Sequence, residues 1–577
     1  MDRRTVWAIL LMMVIAILPA IFLKRPAPPP PGASTADTGR SVVAPAPSAP
    51  GAAVPAPESP TTADSAPPGV APGAGTAAAR ADTVRVVSPL YTYGISTAGG
   101  RLVTARLHRY RSMAPADSGA TAQILPPDSR LLGLTLVLDR DTIPLDDWNF
   151  SASADSLVVS GPTPLRLSGS RGRVNVDMTY TFAPDDYRFA VEGVVTGVGP
   201  NGGTLLVRLG PTLANTEANL DENHHALAVV TRREDAERTD IGGLKPGETK
   251  TVSGPLDWAA VKSKYFVIGL LDSDSTGGRI SGATITAHPT TEKKPTEADV
   301  RLSVPLPPSG AFSYTTYAGP MEYDRLSRLG HGFDDVNPYG WPGFRTLIRP
   351  VAVGVRWLLV WMHQNLHLAY GMVLVFFGIM VRILLWPLNQ KAMRANMQLQ
   401  AVQPMMKDLQ DRHKNDPQKL QQEMFKLYKE YNVNPLGGCW PMLLPMPVLF
   451  ALFFVFQNTI ELRDASFLWL PDLSRPDPLY IIPVVMGASM WGLSKVGQMG
   501  MEPNPQMKMM LYIMPVMMTF LFLNFASGLN LYYAVSNIAS IPQQWMLAQE
   551  RLRKKVTPVV ATKPAAAVAA GGKKKRG

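Results

Sequence analysis

One charged residue sits where charge is costly. The run MVLVFFGIMVRILLWPL, residues 372–388, contains a single ionised side chain, Arg382. An arginine near the middle of a membrane span costs roughly 2.5 kcal/mol or more by insertion scales, so such a guanidinium calls for a use. Arg382 lies about three-quarters of the way along its candidate span. Snorkelling would cover only part of the remaining ~9 Å to the inner interface, so wet surroundings or polar partners suit it better than lipid. A fixed positive charge in a hydrated pocket attracts acidic groups. Polar residues able to line that pocket are Gln457, Asn458, Ser494, Tyr532, Tyr533, Ser536 and Asn537.

Other reactive residue types carry less. His224 and His225 stand beside Asp221 and Glu222, but adjacent side chains rarely converge on one ion, and the segment reads as a polar loop. His363 and His367 share a helix face without a third ligand nearby, and read as ordinary histidines. The single cysteine, Cys439, rules out a disulfide framework and a cysteine-rich metal site. Asp and Glu are scattered through residues 83–320 without a paired acid–base motif, and no G-x-x-x-x-G-K-[ST] loop occurs. No metal, cofactor or catalytic group is expected, and the chain does not read as an enzyme.

The elements that position Arg382 are membrane sequence. Residues 1–25 form an apolar run after two arginines, without a small-x-small cleavage site, and read as an N-terminal anchor. Residues 26–82 are a Pro/Ala-rich tether, with fourteen prolines between 26 and 80. Residues 83–325 change to short alternating runs such as RVNVDMTYTF and DVRLSV bounded by turn residues, which argues an all-β sandwich. Residues 326–367 include FRTLIRPVAVGVRWLLVWMHQNLHL, where Arg345, Arg349 and Arg356 punctuate an apolar helix with Trp357 and Trp361, as expected of a helix lying in the interface. Residues 368–548 hold candidate spans at about 368–388, 441–461, 479–496, 509–525 and 528–547, with FASGLN breaking the last two into a helical hairpin. The anchor makes six.

Counted from an inside N-terminus, the β domain falls outside, and residues 389–438 and the tail 549–577 fall inside. The 389–438 insert carries eight Lys/Arg against five Asp/Glu, and residues 551–577 hold nine Lys/Arg and no acid. Topology and the positive-inside rule agree. The tail also accounts for most of the net charge of +11, which weakens a nucleic-acid reading. The insert reads as an antiparallel helical hairpin, Asp416 capping a second helix that begins at Pro417 and carries Leu420, Met424, Leu427 and Tyr431 on one face. It is either a solvated connector or a docking site. Twenty-two of the 27 methionines follow residue 320, a composition that fills irregular gaps between helices or serves promiscuous apolar binding.

The chain resembles the YidC membrane-protein insertases, in the long form of bacteria with an outer membrane. The resemblance rests on GPMEYDRL (319–326), VRILLWPL (381–388), LYKEYNVNPLGGCWP (427–441), FLWLPDLSRPDPLYIIPVVMG (467–487) and SGLNLYYAVSNIASIPQQ (527–544), in that order. Weaker similarity reaches YTYGISTAGGRLVTARLHRY in the β domain. It implies an inner-membrane protein that inserts and folds nascent membrane proteins, alone or beside the Sec translocon, without nucleotide. It also implies a five-helix core around a hydrophilic groove open to cytoplasm and lipid, whose single arginine matches Arg382, and a periplasmic β domain of galactose-mutarotase-like supersandwich form. Carried over onto this sequence, the groove takes Arg382, Tyr533, Asn537 and Ser494, to which the residue reading adds Gln457 and Tyr532. Met424, Leu427 and Tyr431 of the hairpin, with the basic tail, are candidates to meet the ribosome, and the tail also suits anionic lipid. Pro445, Ser494 and Tyr533 depart from residues common in the family, so groove polarity is expected to be distributed differently here. Two other classes compete: a multi-span transporter with a periplasmic binding domain, against which no internal repeat is found, and an anchored sugar-processing enzyme.

Overall fold

The computed structural model describes residues 82–127, 129–139, 141–272, 280–290, 294–340, 343–414, 416–431, 446–500 and 505–555. All of these belong to one compact unit, Thr76–Gly577. The expected anchor, nearly all of the tether, Pro445 and the tail beyond residue 555 lie outside the described residues.

From Thr83 to Pro320 the chain forms sheets of five, nine and six strands. Alternation decides the faces. Val174–Phe182 (VNVDMTYTF) and Ala298–Leu306 (ADVRLSVPL) bury every second side chain, as a strand with one wet face must. Phe266–Asp272 departs from this pattern, being buried on both faces up to Leu271. Its second face is covered by the segment after the sandwich: Phe333 stands edge-on to Trp258 and Tyr317, and a Cβ on Gly269 would meet the Phe333 ring at 2.7 Å.

Ten described α-helices accompany the sheets. Within the sandwich, α1 (Leu220–Ala226) replaces the loop expected around His224–His225; Asn219 caps it by accepting a hydrogen bond from the Glu222 amide. The sequence reading missed it because seven residues are too few for a periodic signal. α2 (Tyr323–Arg328) straddles the domain boundary drawn at 325. α3 (Arg345–Leu366) exposes Trp357, Trp361 and Leu347 along one side, as an interfacial helix would, but buries Arg356 on the other. That is a correction to the expectation of three interfacial arginines. Buried Arg356 pairs with both Asp324 oxygens at 3.1 and 2.9 Å and with Glu461.

α4 (Tyr370–Ala401) carries Arg382 and runs on well past the end expected at 388. NQKAMRANMQLQA holds strong helix formers and no breaking glycine, so the first arm of the insert begins as a continuation of the span. Val402 interrupts it, and α5 (Gln403–Arg412) and α6 (Pro417–Glu430) follow, with Asp416 accepting from the Lys419 amide at the cap of α6. α7 (Met446–Asn458), α8 (Ile481–Gly497), α9 (Pro505–Phe522) and α10 (Ser527–Lys555) complete the bundle, α9 and α10 being separated at the expected break.

Among the described residues only Tyr370–Gln390 is both long and apolar enough to cross a membrane; Met446–Asn458, Ile481–Gly497 and Leu511–Phe522 are shorter apolar helices. α10 fails the test for a physical reason. It packs along α8 and α4 and buries Ser527, Asn530, Ser536, Ser540 and Gln543, so its polar side chains face protein rather than lipid.

Candidate functional site

Arg382 faces α10. One turn before it, a Cβ on Gly378 would lie 3.2 Å from Val535 and 3.6 Å from Ser536 and Tyr532. One turn after it, the Gln543 amide donates to the Trp386 carbonyl at 2.9 Å. These contacts advance together along both helices, so α4 and α10 run parallel with the guanidinium held between them. Tyr532 and Tyr533 are the titratable groups close to Arg382, and both are phenols rather than carboxylates. The Arg382 Nε is buried without a hydrogen-bond partner, and its guanidinium forms no ion pair with a described residue. The side chain as a whole is half-buried. A fork of charged donors therefore lies half-buried without an ionic partner among the described residues.

The tyrosines are rigidly set. Tyr532 packs on Phe377 of α4 at 5.8 Å between ring centroids, and Tyr533 meets Phe522 of α9 edge-on at 5.4 Å. Asn537 donates to Ser489 of α8 at 3.2 Å, which ties α10 to α8.

At the end of the bundle nearer the sandwich, the loop 463–480 folds inward. Asp477 accepts from the Leu479 and Ile482 amides at 3.0 and 2.7 Å and from the Trp469 indole at 3.2 Å. The Ser527 and Gly528 amides at the start of α10 donate to the Arg475 and Leu473 carbonyls. Gly528 is required there, since a Cβ would come within 2.4 Å of Phe456. Phe467 presses on Gly371 at the start of α4 in the same way. This end is plugged by packed backbone and buried carboxylates, while the helical pair α5–α6 lies at the other.

Two family descriptions match the chain: "60Kd inner membrane protein" over residues 361–555 and "YidC periplasmic domain" over residues 83–352. A membrane protein insertase YidC from Oleidesulfovibrio alaskensis is 31% identical over 482 residues, covering 81% of this chain and 86% of that protein. The corresponding protein of Chlorobium phaeovibrioides is 34% identical, covering 66% and 68%. The chain belongs to the YidC membrane protein insertase family. A solved YidC insertase with its first transmembrane segment resolved aligns over 81% of this chain and 95% of its own, at 16% identity and a TM-score of 0.33.

Membership places the protein in the inner membrane with a β-rich periplasmic domain, and makes nascent membrane proteins its clients. The structure brings Arg382, Tyr532 and Tyr533 together, with Asn537 one turn further along α10. It does not bring Gln457 to them. Gln457 is exposed at the end of α7, beside Asn458, whose amide donates to the Pro338 carbonyl at 3.0 Å near the sandwich. Ser494 lies on α8, half-buried, with Ser489 rather than Ser494 partnering Asn537. In the hairpin, Leu427 is buried against Val402, Met406, Leu409 and Tyr428, Met424 is half-buried and Tyr431 is exposed. The sequence reading missed Phe425, which is 61% exposed on α6 and so better placed than Leu427 to touch a partner. Its position one residue off the apolar stripe was the available signal. The His363 Nδ1 lies 2.7 Å from the Leu368 carbonyl, and its ring stacks on Tyr370. Among the described residues no group of three or more His, Cys, Asp or Glu could hold a metal ion.

Proposed function

We propose that this YidC-family insertase uses Arg382 as a fixed positive charge that draws the polar, often acidic, end of a client chain partway into the bilayer. One observation carries the reading: a guanidinium deep in an apolar helix, facing the polar α10 and two phenols, without an ionic partner among the described residues. Attraction at reduced dielectric lowers the cost of moving charge through hydrocarbon. No bond is made or broken, and burial of the client's apolar segment in lipid supplies the free energy. Tyr532, Tyr533 and Asn537 line the path beside Arg382, with Ser494 at its edge, and α9 is short at 18 residues, about 27 Å at ~1.5 Å per residue, which favours bilayer thinning beside the groove.

The topology that fits has six spans, with residues 1–25 as the first, both termini in the cytoplasm and the sandwich in the periplasm, because both basic segments then lie inside. The α5–α6 hairpin and the basic tail reach the ribosome, with Phe425, Met424 and Tyr431 as the contacting side chains, and the Sec translocon works beside the bundle. The transporter reading has no observation in its favour.

The test is insertion of one client whose translocated tail is made acidic, neutral or basic. Arg382→Lys is expected to retain substantial insertion, whereas Arg382→Ala fails most with the acidic tail. A deficit in Arg382→Ala independent of tail charge, in protein equally abundant and folded, would sink the electrostatic account in favour of a merely packing role.

A further inference from the structure

A second polar site lies at the junction of the sandwich and the bundle. A cavity of ≈ 290 Å³ is lined from the sandwich by Glu217, Glu222 and Lys264, and from the bundle by Arg475, Asp477 and Asn524. That is the small end of the range for ligand sites and suits a compact polar group. Its charges are spoken for with one exception. Glu217 takes Arg463 at 3.1 Å, and Lys264 takes Glu222 at 2.6 Å. Asp477 is saturated by two backbone amides and an indole. The Arg475 guanidinium is half-buried and pairs with no described residue, although its carbonyl is held by the Ser527 amide. Arg475 is among the residues that line the cavity, and a planar donor fork there, where Glu217 and Glu222 are ion-paired and Asp477 is hydrogen-bonded to neutral donors, is suited to a phosphate.

The surroundings name the source of that phosphate. Arg475 stands six residues before the start of α8, and Leu479, Ile481 and Val484, which follow it in sequence, are 60%, 40% and 56% exposed. Apolar side chains next to a phosphate-binding fork, at the end of a membrane helix, match a molecule that is polar at one end and hydrocarbon below. We infer that this cavity holds the phosphodiester headgroup of an outer-leaflet phospholipid, bound by Arg475, with its acyl chains against Leu479, Ile481 and Val484. The lipid acts as a wedge between sandwich and bundle, and the site is separate from the groove at Arg382, so its failure would leave the insertion reading untouched.

Full-length protein in detergent, titrated with phosphatidylethanolamine and followed by native mass spectrometry, tests this. One saturable phospholipid per chain is expected, with affinity falling about tenfold or more in Arg475→Gln, the size of a lost charge-assisted contact. Arg475→Lys, which keeps the charge and loses the planar fork, is expected to bind with an affinity between those of the parent and Arg475→Gln. Lys495→Gln, at the opposite end of α8 where the ammonium lies over Trp491, leaves it unchanged. The Arg475 side chain has no partner among the described residues, so the unfolding midpoint of Arg475→Gln should match that of the parent protein. Unchanged phospholipid affinity in Arg475→Gln overturns the inference, as does equal binding of diacylglycerol lacking the phosphate. Displacement of the lipid by an equal concentration of inorganic phosphate overturns the assignment to lipid.

Discussion

Lys262 shows how a single buried group sets a pH response. It lies on the strand Trp258–Lys262, 3% exposed, and donates to the Asn337 side chain at 2.9 Å where the sandwich meets the bundle. Burial, aided by nearby Arg238, pushes its ammonium down to about 7. In the unfolded chain the same group titrates near ~10.4. Between those values the unfolded state holds a proton that the folded state has released, so stability rises with pH across this window, by up to ~1.4 kcal/mol per unit. Below about 7 both states are charged and the full burial penalty applies. Thermal unfolding of the protein in detergent should therefore shift upward as the pH is raised from about 7 to about 9, and Lys262→Met should remove that share of the slope. An identical slope in the variant would show that another group is responsible.

At the scale of elements, helices that look alike in sequence do different work according to what they pack against. α6 contributes Leu427 to a small cluster whose buried members among the described residues are Val402 and Leu427. Leu427→Ala should cost about 2 kcal/mol or more and melt the pair. Phe425→Ala, at an exposed position, should leave it folded. Amide hydrogen exchange over 403–430 distinguishes the two: loss of protection is expected only in Leu427→Ala. If ribosome binding falls in Phe425→Ala with protection intact, the side chain is a contact; if binding falls only with Leu427→Ala, the hairpin matters as a folded unit and Phe425 does not.

For the whole molecule, the joint between sandwich and bundle is built from buried polar pairs rather than apolar area alone. Arg463 and Glu217 are 8% and 5% exposed, and Arg463 also donates to the Thr216 carbonyl at 3.0 Å. Removing one partner of a buried pair leaves the other charge uncompensated, at a cost of about 3–5 kcal/mol. Glu217→Ala should lower the unfolding midpoint accordingly, and replacing both residues by leucine should recover most of it. The residues around Arg382 come from α4 and α10, so a chain lacking residues 83–320 should still insert an acidic-tailed client. A shortened chain that is folded and abundant but inactive would show that the sandwich takes part in insertion itself.

Much of this architecture was legible because apolar periodicity reports whether a face is covered, whatever covers it. The alternation of VNVDMTYTF, a break between the last two bundle helices, the Asp416 cap and the place of Arg382 within a long apolar helix all followed from residue types and spacing. Other features depended on partners distant in sequence, which periodicity does not encode. Glu217 and Arg463 lie 246 residues apart, and nothing near either one announces the other. Arg356 read as interfacial until Asp324 and Glu461 were brought to it, and the second face of Phe266–Asp272 is covered by Phe333, from outside the sandwich. α10 was read as a span over 528–547, but composition did not show that its serines, Asn530 and Gln543 are buried against neighbouring helices. Gln457 and Asn458 are adjacent amides, but the end of α7 turns one outward and ties the other to Pro338. Composition determined that Arg382 needed a polar neighbour, and the parallel packing of α4 on α10 decided that the neighbours are Tyr532 and Tyr533, because only side chains on facing turns come within reach.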